Sequence, residues 1–159
     1  MKRILFVCTG NTCRSPMAQA HLLNILQNHG NNCPEEIEVL SAGLFTTEGM
    51  PASSQAIEAL LLDGIDISSH RTQELSQKML EGADLIITMT MMQCQELRER
   101  FPDKKENIHT ISQLADNGDE DILDPFGMGL QSYINTSRQL KNLLAVIFNI
   151  HFSAKEENQ

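Results

Sequence analysis

The chain opens on an unbroken apolar run, Ile4-Leu5-Phe6-Val7, which reads as a strand buried on both faces. Beyond Pro16, Ala18, Leu22, Ile25, Leu26 and His29 fall at helical spacing, and Gly30 with Asn31-Asn32 supplies a stop. Ile37 to Ser41 reads as a second strand. A Thr/Gly/Pro-rich loop then leads to a predicted helix over 52–63, ended by Gly64. A shorter helix is predicted over 72–81, with Leu75, Met79 and Leu80 inward. Asp84 to Thr90 is the clearest remaining strand, and 107–111 is a weaker fourth one. Between them, 91–100 reads as a helix closed by Phe101-Pro102. Ser112 to Gly129 is predicted to be a long acidic loop. A last helix follows over 130–148, with Ile134, Leu140, Leu144, Ile147 and Phe148 on one stripe, and the polar tail Ser153 to Gln159 is expected to fray.

Strands alternating with helices, without a hairpin signal, predict an α/β fold: a single-domain three-layer sandwich around a four-stranded parallel sheet. The domain should span 1–152, leaving 153–159 as tail. In such sheets, ligands sit beyond the carboxyl ends of the strands where the winding reverses. At 159 residues and 41% hydrophobic, the chain suffices for one core and needs no second. No apolar run approaches the roughly 18 residues of a membrane span, and the N-terminus lacks a signal-peptide pattern, so a cytoplasmic protein without a membrane partner is expected. A net charge of −9 argues against a nucleic-acid partner. The cysteines (Cys8, Cys13, Cys33, Cys94) contain no Cys-x-x-Cys and the histidines no ligand spacing, so neither a metal nor another cofactor is expected. Such usage suits a reducing compartment.

The chemistry concentrates directly behind the first strand, in Val7-Cys8-Thr9-Gly10-Asn11-Thr12-Cys13-Arg14-Ser15-Pro16. Ser15 followed by Pro16 reads as an N-cap and first helical position. The chain therefore runs strand, tight loop, helix, which aims loop N–H groups and a helix N-terminus at one point and makes an anion site. A cysteine at the start of that loop, facing those donors and the Arg14 guanidinium, has its thiolate favoured and becomes a nucleophile. Arg14 can return across the loop and grip two phosphoryl oxygens in its planar fork. Spacing alone is weak evidence, because Cys94 and Arg100 repeat it. That second pair lies in a helical pattern without a glycine, where its two ends point about 120° apart.

Phosphoryl transfer to sulfur also needs a proton for the leaving group. Asp124 is the candidate, in a loop after a strand, with Pro125 holding it extended. On its own, Asp-Pro-Phe-Gly also reads as a plain turn. Asp116, Asp119, Glu120 and Asp121 lack the following proline and read as a solvated acidic loop.

Val-Cys-Thr-Gly-Asn-Thr-Cys-Arg-Ser-Pro-Met-Ala resembles the signature of the low-molecular-weight protein-tyrosine-phosphatase family, most of all its bacterial protein-arginine phosphatase branch. The likeness extends to Ser41-Ala42-Gly43, His70 and Asp124-Pro125-Phe126-Gly127. It implies a phosphatase that works through a phosphocysteine on Cys8, with Arg14 clamping the phosphoryl group and Asp124 serving as acid and then base. Thr9, Gly10, Asn11, Thr12 and Cys13 would line the phosphate cradle, and Phe126 the pocket wall. Asn11, Ser15, Ser41 and His70 match positions that buttress the loop, the Ser15 hydroxyl donating to Cys8. The implied partners are phosphorylated proteins.

Members acting on phosphotyrosine carry a larger aliphatic residue where this chain has Thr12, and two tyrosines where it has Phe126 and Gly127. Phosphoarginine is therefore the first substrate expected, phosphotyrosine the second. Arsenate reduction would need two further cysteines after the third strand, where only Cys94 stands beside Thr90. A silent phosphate-binding module would be marked by loss of Cys8 or Asp124, and both are present. Cys8 and Cys13 bracket one tight loop, so a reversible disulfide under peroxide is expected, unless Cys13 merely packs the loop.

Overall fold

In the computed structural model, which describes residues 1–30, 33 and 35–154, the first strand β1 (Lys2–Cys8) lies inside a four-stranded parallel sheet. Its neighbours are β2 (Ile37–Gly43) on one side and β3 (Leu85–Thr88) on the other, and β4 (Ile108–Thr110) forms the far edge. Parallel pairing sets Ile4 beside Val39 and Leu85, and Val7 beside Ala42 and Thr88. The order β2-β1-β3-β4 means that the chain winds one way from β1 and returns past it to β3. The reversal falls at the carboxyl end of β1, where Cys8 stands.

Alternation along β1 divides the core in two. Ile4 and Phe6 face one layer with Val39 and Ile87, covered by helices α1 (Arg14–His29), α2 (Ser54–Leu61) and α6 (Leu130–Ile147). Leu5 and Val7 face the other with Ile86 and Ile108, covered by α3 (Gln77–Gly82) and α4 (Met91–Arg100). All four β1 side chains are fully buried, each contributing about 1.5–3 kcal/mol by leaving water. The predicted stripe on α6 holds, with Leu140, Leu144, Ile147 and Phe148 buried and Ile134 packed beside them. No helix among the described residues is long and apolar enough to cross a membrane.

Several boundaries differ from the sequence reading. The helix expected over 72–81 forms only at Gln77–Gly82, capped by Ser76 Oγ. The preceding residues run alongside the end of β2 instead: Gly43 N donates to Gln73 O at 2.9 Å and Leu75 N to Gly43 O at 2.8 Å. The tertiary bonds outweigh the local helical pattern. The helix predicted over 52–63 is shorter, at Ser54–Leu61 with Ser53 as its cap. The acidic loop begins later than Ser112, because Thr110 and Gln113 form a capping box around a single helical turn, α5 (Ile111–Leu114). Ser15 is not the N-cap of α1: Cys13 takes that position, which places Ser15 and Pro16 inside the first turn, where a missing N–H still costs nothing. Asn31 and Asn32, and the tail beyond residue 154, lie outside the described residues.

One buried polar contact ties α1 to α6. His21 is 2% exposed and its Nε2 lies 2.8 Å from Ser137 Oγ. Burial pushes this imidazole from 6.5 down to about 4, the nearby Asp63 charge opposing the shift and Lys141 adding to it. The unfolded chain therefore takes up a proton first, and folding loses stability as pH falls from 6.5 towards 4, by about 3 kcal/mol across the window. Urea unfolding should show this acid-side slope in the wild type, and His21→Gln, which cannot titrate, should flatten it. Identical slopes would mean that other groups govern acid stability.

Candidate active site

The loop from Cys8 to Arg14 is shaped by Asn11 rather than by Gly10. Asn11 is the residue in the left-handed region, with φ +57°, and it is fully buried. Its amide is used on every side. Oδ1 accepts Gln73 N–H at 3.0 Å, and Nδ2 donates to Ser15 Oγ at 2.8 Å and to Ser41 Oγ at 3.0 Å. With that amide donating to Ser15, the Ser15 hydroxyl proton is free to point at Cys8 Sγ, 2.9 Å away. Asn11 N–H donates to the same sulfur at 3.3 Å. The Ser41 hydroxyl in turn donates to Gln19 Oε1 at 2.7 Å, and Gln19 Nε2 donates to Val39 O.

His70 closes the network from outside the sheet. Its Nε2–H donates to Asn11 O at 2.8 Å. Burial lowers the ring from its ordinary 6.5, the Asn11 carbonyl raising it and Arg71 lowering it again. Gly43 is required by contact: a Cβ there would meet Thr9 O at 2.9 Å and Gly10 C and Asn11 Cβ at 3.1 Å. The end of β2 can therefore lie against the loop backbone, where Leu44 N donates to Cys8 O and Phe45 N to Thr9 O, each at 2.9 Å.

Arg14 is 5% exposed and spans two loops. Nη1 donates to Ile122 O at 2.9 Å, and Nη2 lies 3.4 Å from Asp124 Oδ2. The carboxylate is half exposed, and its Oδ1 accepts Phe126 N–H at 3.1 Å. Pro125 O accepts Met128 N–H at 3.0 Å, closing a turn whose left-handed position is Gly127, φ +76°. That turn leaves the Phe126 ring standing free, 72% exposed, beside the pocket. Cys8, Thr9, Gly10, Thr12, Cys13, Arg14, Asp124 and Phe126 together line one cavity of about 200 Å³. Ser15, Ser41, His70 and Pro125 stand behind this lining rather than in it.

Several contributors have no local sequence signal. Gln19 and Gln73 serve Ser41 and Asn11 across the fold. The Cys13 thiol donates to Tyr133 Oη at 3.6 Å and lies 3.4 Å from Ser53 Oγ, while Ser53 N–H holds Thr12 O at 3.0 Å. Burial and that thiol contact push the Tyr133 phenol up to about 12, so its proton stays on. Gln93 is different: Thr90-x-x-Gln93 is a legible capping box, and the same amide donates to Thr9 Oγ1 at 3.2 Å. Cys94 sits within α4, fully buried, and burial pushes its thiol up; Arg98 opposes the shift, as does a hydrogen bond with Thr88. The repeated Cys-x5-Arg spacing thus belongs to a buried thiol and to Arg100, which pairs with Glu96.

Residues 3–157 match the family described as low molecular weight phosphotyrosine protein phosphatase. Two similar proteins carry the name protein-arginine-phosphatase. That of Bacillus subtilis is 36% identical over 89% of this chain and 91% of its own, and that of Geobacillus stearothermophilus is 41% identical over 89% and 90%. A solved cysteine-to-serine mutant of the arginine phosphatase YwlE, with a phosphorylated active-site serine, superposes with a TM-score of 0.87 at 33% identity, covering 98% of this chain and 97% of that one. With the match running through the sheet, the cysteine loop and the Asp-Pro turn alike, the chain belongs to the low molecular weight phosphotyrosine protein phosphatase family.

Proposed function

We propose that the protein hydrolyses phosphoarginine in protein substrates, with Cys8 as nucleophile. The observation that carries the choice of phosphoamino acid is the pair of pocket walls, Thr12 and Phe126. A threonine leaves more room than an isoleucine and adds a hydroxyl that can hydrogen-bond, which suits a branched, polar guanidinium better than a phenol ring. Gly127, where a second aromatic would stand, removes one of the two walls a phenol could stack against and leaves Phe126 alone.

In the proposed cycle, Cys8 Sγ attacks phosphorus in line while the loop N–H groups and Arg14 take the equatorial oxygens. The Ser15 hydroxyl steadies the sulfur. Asp124 gives a proton to the departing guanidinium nitrogen as the P–N bond breaks, leaving a phosphocysteine. The resulting carboxylate then takes a proton from water, whose oxygen attacks phosphorus and releases Cys8. One residue is acid and base in turn. The free thiols suit a reducing compartment, and we place the enzyme in the cytoplasm.

The specificity is tested by rates on matched phosphoarginine and phosphotyrosine peptides. The arginine series should be faster, and a faster tyrosine series would make the protein a tyrosine phosphatase. Thr12→Ile should move the ratio of kcat/KM towards phosphotyrosine by about 10- to 200-fold. Equal loss on both series would make Thr12 a loop-stability residue.

Cys8→Ser should abolish turnover yet retain vanadate binding. Iodoacetate should label Cys8 first and be blocked by phosphate, whereas Cys94, deeply buried with its thiol raised, should stay unmodified. Labelling that favours Cys94 or ignores phosphate would contradict the assignment.

Peroxide should convert the Cys8 thiolate to a sulfenic acid with loss of hydroxide, and attack by the Cys13 thiol should then form a disulfide and release water. Activity should return with a thiol reductant. In Cys13→Ser that recovery should be incomplete after the same peroxide exposure, and complete recovery would exclude Cys13 as the resolving thiol.

A further inference from the structure

Beside the catalytic pocket, a second and larger depression of about 650 Å³ opens from the same edge. It shares Gly10, Thr12 and Phe126 with the pocket and continues over Phe45, Met50, Pro51 and Ala52. Two features distinguish it from ordinary surface. None of its lining residues is charged, although the chain carries a net charge of −9. Its large apolar side chains also stand in water: Phe45 is 69% exposed, Met50 50% and Phe126 72%. Clustered exposure of that kind marks an interaction site.

The walls are fastened to the nucleophile loop. Phe45 N–H holds Thr9 O, and Ser53 N–H holds Thr12 O. Both backbone polar groups of Met50 are held by Thr72, its N–H donating to Thr72 Oγ1 at 2.9 Å and its carbonyl accepting Thr72 N–H at 2.7 Å. Such a trough needs little ordering before it can bind. The trough meets the pocket at Gly10, Thr12 and Phe126, so a side chain next to one seated on Cys8 has the trough within reach.

We propose that this trough receives an apolar side chain adjacent to the phosphorylated residue of the substrate polypeptide, so that the enzyme selects its sites by sequence context as well as by phosphoamino acid. The proposal rests on the protein-phosphatase reading but not on the choice of arginine. Leucine or phenylalanine beside the phosphoresidue would exchange water for Met50, Phe45 and Phe126, whereas a glutamate there would lose hydration without gaining a partner.

The test is a kcat/KM series on phosphopeptides with Leu, Ser or Glu at each neighbouring position in turn, made in phosphoarginine and phosphotyrosine versions, with p-nitrophenyl phosphate as a substrate that has no flanking chain. Leu should exceed Glu by about tenfold at one of the two positions. Met50→Glu should remove that advantage while leaving p-nitrophenyl phosphate turnover unchanged, and Phe45→Ser should weaken it from the other end of the wall. If only the phosphotyrosine series is hydrolysed, the arginine assignment fails, and the trough is judged on the Leu-to-Glu ratio within that series. Equal rates for Leu, Ser and Glu, or a Met50→Glu variant that loses p-nitrophenyl phosphate activity in step with the peptides, would overturn the proposal. Turnover of p-nitrophenyl phosphate with neither peptide series would overturn it together with the protein-phosphatase reading.

Discussion

The site depends on the Asn11 side-chain amide. A non-glycine residue at φ +57° costs on the order of 1 kcal/mol, and this one is held there by bonds on both its oxygen and its nitrogen. Those bonds explain much that looks unrelated. They orient Ser15 towards Cys8 and, through Ser41 and the Gln73 N–H, tie the end of β2 and the run beside it to the loop, where only glycine fits at 43. Any side chain without both a donor and an acceptor would strand buried partners at about 1–3 kcal/mol each.

Arg14 plays the corresponding part between the two halves of the site. Its hold on the Ile122 carbonyl brings the acidic loop to the nucleophile loop, and the same guanidinium faces Asp124. The loop that carries the proposed acid is thus positioned by the residue proposed to receive phosphate oxygens. An anion in the pocket would compete with the carboxylate for Arg14, so phosphate loading and the placing of Asp124 are linked through one side chain.

The fold was legible because its elements announce themselves locally. Ile4 to Val7 is too uniformly apolar for anything but an inner strand, and α6 carries its stripe plainly. The meeting of Cys8, Arg14 and Asp124 in one pocket was legible through the strand-loop-helix order and the Asp-Pro step, and the acid role proposed for Asp124 rests on the resemblance. The supporting shell was not. Gln19, Gln73 and Tyr133 act over separations that no spacing rule encodes, and the extended run before α3 obeys its bonds to Gly43 rather than its own propensity. Ser-Pro so often opens a helix that Ser15 reads as the cap, yet its hydroxyl is occupied by Cys8 and Asn11. Local rules failed where a residue is committed to the site.

The loop built around Asn11 is proposed to present Cys8 to phosphorus. Acid-quenching the Asp124→Asn enzyme during turnover of p-nitrophenyl phosphate, whose phenolate departs without needing a proton from Asp124, and mapping the phosphoryl group by mass spectrometry tests this directly. A phosphoryl adduct on Cys8 is expected, since Cys8 can still attack phosphorus in that variant while the base that activates water is gone. An adduct on Cys13 or His70, or none under conditions where substrate is consumed, would contradict it.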